Sequence, residues 1–180
     1  MYKSIQLLDK TFRLYIEAAE IDRAVSRLAR EINRDMEGAR PLFLVVLNGA
    51  FMFASDLLKE VTVEGTTVIF TRLASYAGTA STGEIKELIG LTGEVAGRNV
   101  VIVEDIVDTG RSIAHLLEML KARGARQVKV AALFYKPDAL EREVTIDYAG
   151  IALKNDFVVG RGLDYDDLGR NLPDLYTLAP

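Results

Sequence analysis

The chain has 180 residues, 49% of them hydrophobic, and its 22 basic and 26 acidic side chains leave a formal net charge of -4. That length buries one substantial core and is short for two, so a single domain over residues 1–180 is expected. The charge balance gives no electrostatic footprint for nucleic acid or an anionic membrane. The absence of cysteine removes disulfides, thiol nucleophiles and cysteine-ligated zinc. With His115 as the one histidine, a multi-histidine metal site is excluded too, and any metal must sit on oxygen ligands. The opening residues interleave charged and apolar side chains too closely for a signal-peptide core, and the longest apolar run, Pro41 to Leu47, is too short to span a bilayer. A cytoplasmic protein with small-molecule partners, without nucleic acid or membrane, is the expectation.

Ile21, Val25, Leu28 and Ile32 recur at helical spacing and predict an amphipathic helix from about residue 15 to 36. The run LFLVVL, Leu42 to Leu47, predicts a buried strand that Asn48 and Gly49 break, followed by a helical stretch from Ala50 to Lys59. Val68 to Arg72 and Val100 to Val103 read as further strands, rich in β-branched residues and free of proline. Between them Tyr76 to Thr82, YAGTAST, is small and polar and reads as a mobile loop. Ile113, Leu116, Leu117 and Leu120 restore helical spacing, with Gly124 as the stop, and Val128 to Tyr135 supplies another strand. Strand, helix and strand in this order make a right-handed βαβ unit, so the class is α/β with a central, mostly parallel sheet flanked by helices. Ligands of such sheets bind in the crevice at the carboxyl ends of the strands. The glycine- and aspartate-rich stretch from Asp156 onward is expected to be irregular structure near a site.

The segment VIVEDIVDTGRSI, Val101 to Ile113, carries the chemistry. An apolar strand is expected to end in Glu104 and Asp105, after which Asp108, Thr109, Gly110, Arg111 and Ser112 open a helix. Backbone N–H groups and hydroxyls converge there on a helix N-terminus that favours an anion, which makes a phosphate cradle. Two acids beside a phosphate cradle suit ribose hydroxyls or a divalent cation. Taken singly, Asp108 and Thr109 do no more than cap a helix, and the acids sit solvated at a strand end. Competing motifs fail. Gly78 and Gly83 have P-loop spacing, but Glu84 and Ile85 stand where Lys and Ser/Thr are needed. Gly160 and Gly162 begin like a dinucleotide fingerprint, but Tyr165 takes the third glycine's place.

As a composite, Val101 to Ile113 resembles the phosphoribosyl-pyrophosphate signature of type I phosphoribosyltransferases, and other segments narrow the resemblance to the hypoxanthine–guanine branch. That fold implies a small base-binding hood built from the terminal segments, and family members are commonly homodimers or homotetramers. Leu47, Asn48 and Gly49 resemble the pyrophosphate loop, where the family often carries a cis peptide and commonly has a basic residue at the place of Asn48. Arg72, followed by Ser75 and Tyr76, resembles the start of the catalytic flexible loop. Lys136 matches the lysine that reads the purine 6-oxo group, although a lysine at a strand end is ordinarily solvated.

Phe157 would stack on the purine, Val158 would offer backbone groups to its edge, and Arg170 would meet pyrophosphate. Asp164 resembles a metal-binding acid, and with Glu104 and Asp105 it would hold Mg²⁺. Asp108 would act as general base at purine N7. The implied partners are phosphoribosyl pyrophosphate and a 6-oxopurine, hypoxanthine or guanine. Two alternatives stand beside this: a regulatory protein of the same fold that senses the donor, and a transferase for xanthine or another purine. His115, beside the helical stripe, is expected to have a packing or surface role.

Overall fold

The computed structural model describes residues 3–75, 85–89 and 94–179. Strands β1 (Ser4–Leu7) and β2 (Lys10–Ile16) precede helix α1 (Ala18–Asp35), which is followed by β3 (Leu42–Leu47), α2 (Phe51–Glu60), β4 (Thr67–Ser75) and β5 (Ile85–Ile89). The chain continues through β6 (Asn99–Val107), α3 (Arg111–Ala122), β7 (Gln127–Tyr135), β8 (Tyr148–Ala152), β9 (Val158–Val159) and β10 (Leu175–Leu178). The main sheet is six-stranded in the order β5-β4-β3-β6-β7-β8. Its strands run parallel except for β5, which adds antiparallel to β4 at one edge.

Side-chain alternation explains why helices cover both faces. Within β3, Phe43 and Val45 enter the cluster built with α1 and α2, while Leu42, Leu44 and Val46 enter the one built with α3. Val101 and Val103 of β6 go to the first side, and Val100 and Ile102 to the second. The helical stripe predicted from Ile21 to Ile32 is the buried face of α1, packed on α2, β7 and β8.

A second, four-stranded sheet in the order β1-β2-β10-β9 joins the two ends of the chain, the arrangement expected of a terminal hood. Two expectations are corrected by it. The helix does not begin near residue 15, because Tyr15 and Ile16 belong to β2, whose Ile16 pairs with Leu175. Nor is the stretch after Asp156 wholly irregular, since β9 and β10 form half of this sheet. Its core is Phe12, Val159 and Tyr176. The segment predicted as a mobile loop, Tyr76 to Thr82, lies outside the described residues.

Candidate active site

Strand β6 delivers the two acids from within the sheet. It does not stop before them: Glu104 pairs with Ala132 and Ile106 with Phe134, so the ladder continues where the apolar pattern breaks. Glu104 and Asp105 are therefore buried, at 7% and 9% exposure, instead of solvated. The Asp105 N–H donates to Glu104 Oε1 at 3.3 Å, and the Ile106 N–H to Asp105 Oδ1 at 2.9 Å. Burial, and then the charge of Asp105, push the Glu104 carboxyl well above the usual carboxylate range. Burial also raises Asp105, against the downward pull of its hydrogen bonds and of the Arg170 guanidinium. Among the described residues neither acid has an ion-paired cation, and removing such carboxylates from water costs several kcal/mol per ion.

The turn after β3 closes on these acids. The Leu47–Asn48 peptide is cis, Asn48 is exposed, and Gly49 is buried directly against Asp105. A Cβ at Gly49 would coincide with the Asp105 carboxylate. Gly49→Ala is therefore expected to destabilise the fold by about 1–3 kcal/mol, the scale of overpacking, read as a lower urea midpoint. An unchanged midpoint would mean that the acid gives way freely.

Helix α3 begins without the ordinary side-chain cap. Its N-cap is Gly110, at φ 78°, a left-handed conformation that glycine adopts without strain. Thr109 Oγ1 lies 3.5 Å from the Arg111 N–H, at the limit of a hydrogen bond. The first-turn donors are thus left for an anion, so the capping role does not hold for Asp108. Behind the turn, the Glu141 and Arg142 N–H groups donate to Thr109 O at 3.0 and 3.2 Å and fix its shape.

Lys136 meets this turn from the end of β7. Its N–H donates to Val107 O at 2.9 Å, its side chain is buried, and its Nζ donates to Asp108 Oδ2 at 3.0 Å. It is not the solvated strand-end lysine that position alone suggests. Leu47, Gly49, Glu104, Asp105, Asp108, Thr109, Gly110 and Ser112 line one cavity of about 240 Å³. A larger open groove, of about 1120 Å³, lies elsewhere among Glu37, Arg40, Arg98 and Arg126.

The other predicted residues that the structure describes include several outside the cavity lining. Half-exposed Phe157 has its ring 6.2 Å from Phe12 and 5.9 Å, edge-on, from Tyr165. Val158 is buried opposite Thr177 in the hood sheet. Arg170 bridges to Asp164 at 2.7 Å and donates to Gly162 O at 3.0 Å. Arg111 is exposed and paired with Glu141 at 2.5 Å, and Arg72 is exposed on β4. Ser75 ends β4, while Tyr76 lies outside the described residues. His115 is half-buried on α3.

The sequence matches the phosphoribosyl transferase domain family over residues 16–166. This chain belongs to that family. The phosphoribosyltransferase is similar to the hypoxanthine-guanine phosphoribosyltransferase of Lactococcus lactis, 38% identical, with 96% of this chain and 94% of that one covered. It is also 40% identical to the bifunctional protein TilS/HprT of Listeria monocytogenes over 93% of its own length, although it spans only 26% of that longer protein. Its fold, of the type I phosphoribosyltransferase kind, superposes on a crystal structure of a Staphylococcus aureus hypoxanthine phosphoribosyltransferase with a TM-score of 0.88 at 31% identity, covering 93% of this chain and 91% of that one.

Sequence reasoning missed Arg161 and Gly162, which join the hood to the turn at Gly49. The signal was the pair of glycines around Arg161, set aside as a failed dinucleotide motif. Arg161 is buried at 5% exposure, and Gly162 packs on the Gly49 carbonyl.

Proposed function

We propose that this phosphoribosyltransferase joins hypoxanthine or guanine to the ribose of phosphoribosyl pyrophosphate, forming IMP or GMP and releasing pyrophosphate. The observation that carries this is the Lys136–Asp108 pair at 3.0 Å on the edge of the acid-lined cavity. A 6-oxopurine presents O6 and N7 on one edge, and a lysine beside a carboxylate complements both. Lys136 donates to O6 as Asp108 takes the proton from the ring. The bond from N9 to the ribose anomeric carbon forms while the bond to pyrophosphate oxygen breaks, and its electron pair leaves with pyrophosphate. No covalent intermediate with the protein is needed.

The other groups bind and enclose. Thr109, Gly110, Arg111 and Ser112 take the 5-phosphate at the start of α3. Leu47, Asn48, Gly49 and Arg170 take pyrophosphate. Phe157 stacks on the base and Val158 meets its edge through backbone groups. Arg72 leads into Ser75 and Tyr76, which close over the substrates and keep water from hydrolysing the donor.

Buried carboxylates that have no ion-paired cation among the described residues fit a divalent ion on oxygen ligands. Glu104, Asp105 and Asp164 would hold Mg²⁺ together with donor oxygens, because no cluster of three or more acidic or histidine side chains suited to a metal exists among the described residues. When bound, the metal offsets charge on the departing pyrophosphate. A chelator is therefore expected to abolish turnover, and Mg²⁺ or Mn²⁺ to restore it. Full activity in metal-free buffer would remove the metal from the reaction.

The function itself is tested by incubating the protein with donor, Mg²⁺ and each purine separately and separating the products by chromatography. IMP or GMP is expected. XMP alone would favour the xanthine reading, and donor binding without any product would favour the regulatory one. A homodimer or homotetramer in the cytoplasm completes the proposal. Exposed Val68 and Phe70, two residues apart on β4, offer apolar surface for assembly. Among the described residues no helix is long and apolar enough to cross a membrane.

A further inference from the structure

Arg161 is a buried cation doing more than packing. One of its terminal nitrogens, Nη2, is ion-paired with Asp22 of α1 and, at 2.9 Å, with Asp56 of α2. Nη1 donates to Pro173 O at 3.4 Å, while the buried Nε finds no acceptor among the described residues. A buried donor left unmatched is costly, and well-packed apolar side chains would often serve stability as well or better. The backbone around it is just as constrained. The Arg161 N–H donates to Leu172 O at 2.8 Å and the Gly162 N–H to Arg170 O at 2.9 Å. Gly162 lies so close to the Gly49 carbonyl that a Cβ there would overlap it. The turn at Gly49 leads straight into α2, which carries Asp56. Both sides of the Gly49–Gly162 contact are thus referenced to the same helix, one through the chain and the other through the guanidinium.

We propose that Arg161 is a positioning residue: by fastening the loop 160–170 to α1 and α2, it sets Gly162 against Gly49 and, through the Gly162 carbonyl, aims Arg170 and Asp164. This rests on the assignment of Gly49 and Arg170 to pyrophosphate. The base is held elsewhere, by Lys136 and the hood, so loss of the fastening acts on the donor and leaves the base alone.

The test compares full-length wild type with Arg161→Met, Arg161→Lys and Asp22→Ala. The methionine variant is expected to raise KM for phosphoribosyl pyrophosphate about tenfold while KM for hypoxanthine stays within about twofold, a split that marks lost donor binding. Arg161→Lys, which keeps one charge contact, should recover part of the loss. Should Arg161→Met fail to fold, Asp22→Ala decides by the same KM split, since it removes the acceptor on α1 and the Asp22 side chain is 60% exposed and outside the core. Calorimetric binding of pyrophosphate with Mg²⁺ reads the same contact without turnover and is expected to weaken in parallel. A lower melting temperature with both KM values and pyrophosphate affinity unchanged would reduce Arg161 to a structural anchor and overturn the proposal. Absence of hypoxanthine turnover in the wild type counts instead against the assigned reaction, and the pyrophosphate comparison still decides the role of Arg161.

Discussion

Asp108→Asn is expected to lower turnover by about 10²-fold or more, the scale of a lost general base, with donor binding retained. The substitution keeps the side-chain shape and leaves an oxygen to accept from Lys136 Nζ, which lies 3.0 Å from Asp108 Oδ2. What it removes is the capacity to take a proton. The Asp108 side chain is 47% exposed, so solvent screens the lost ion pair and the stability change should be about 1 kcal/mol or less. Donor binding should survive because the backbone of the turn is fixed from behind by the Glu141 and Arg142 N–H groups and not by Asp108. Single-turnover kinetics separate the two effects. Near-normal turnover in a folded variant would take proton transfer away from Asp108.

The second large effect concerns which base is accepted. Hypoxanthine and guanine should react well and adenine poorly, by about 10⁴-fold or more, as when a buried polar site meets an analogue it cannot pair. An ammonium has only donors, and the 6-amino group of adenine faces it with donors of its own. The Lys136 side chain is 9% exposed, so water cannot intervene to soften the mismatch. Lys136→Ala removes an attractive contact for one base and a repulsive one for the other, and should shrink the preference from both sides. It also leaves Asp108 without its partner, so kcat/KM is to be measured for both bases and compared as a ratio. Equal use of adenine and hypoxanthine by the wild type would end the assignment of Lys136 to the 6-position.

Much of the main sheet was legible because parallel strands covered on both faces are near-continuous apolar runs, as in LFLVVL and VKVAALFY. The succession of acids, turn and helix start was legible for a different reason: it lies in one short segment. What escaped notice depends on distant pairing. Tyr15 and Ile16 suit either a helical stripe or an alternating strand, and only β10, from the other end of the chain, decides between them. Strand β9 is two residues long, too short for any periodicity. The reach of β6 through Glu104 and Asp105 was set by hydrogen bonds to β7, which override an unfavourable local pattern. Lys136 could be placed beside Asp108 only by resemblance, and Arg161 not at all, because Asp22 and Asp56 come from helices far earlier in the sequence.

The closure of the hood by β10 has a consequence for how the molecule comes into being. Thr177 pairs with Arg13, and within that sheet β9 is hydrogen-bonded to β10 alone. Joining segments so far apart in the chain requires closing a loop that spans nearly all of it, a slow step next to the short-range pairings of the main sheet. As the chain emerges from the ribosome amino end first, the strands that carry the acids and the turn before α3 are present and can assemble early. The edge that carries Phe157 and Val158 cannot settle until Leu175 to Leu178 arrive. A nascent chain halted just short of Leu175 would already contain Glu104, Asp105, Asp108 and Lys136 but would lack the strand on which the edge with Phe157 and Val158 is built.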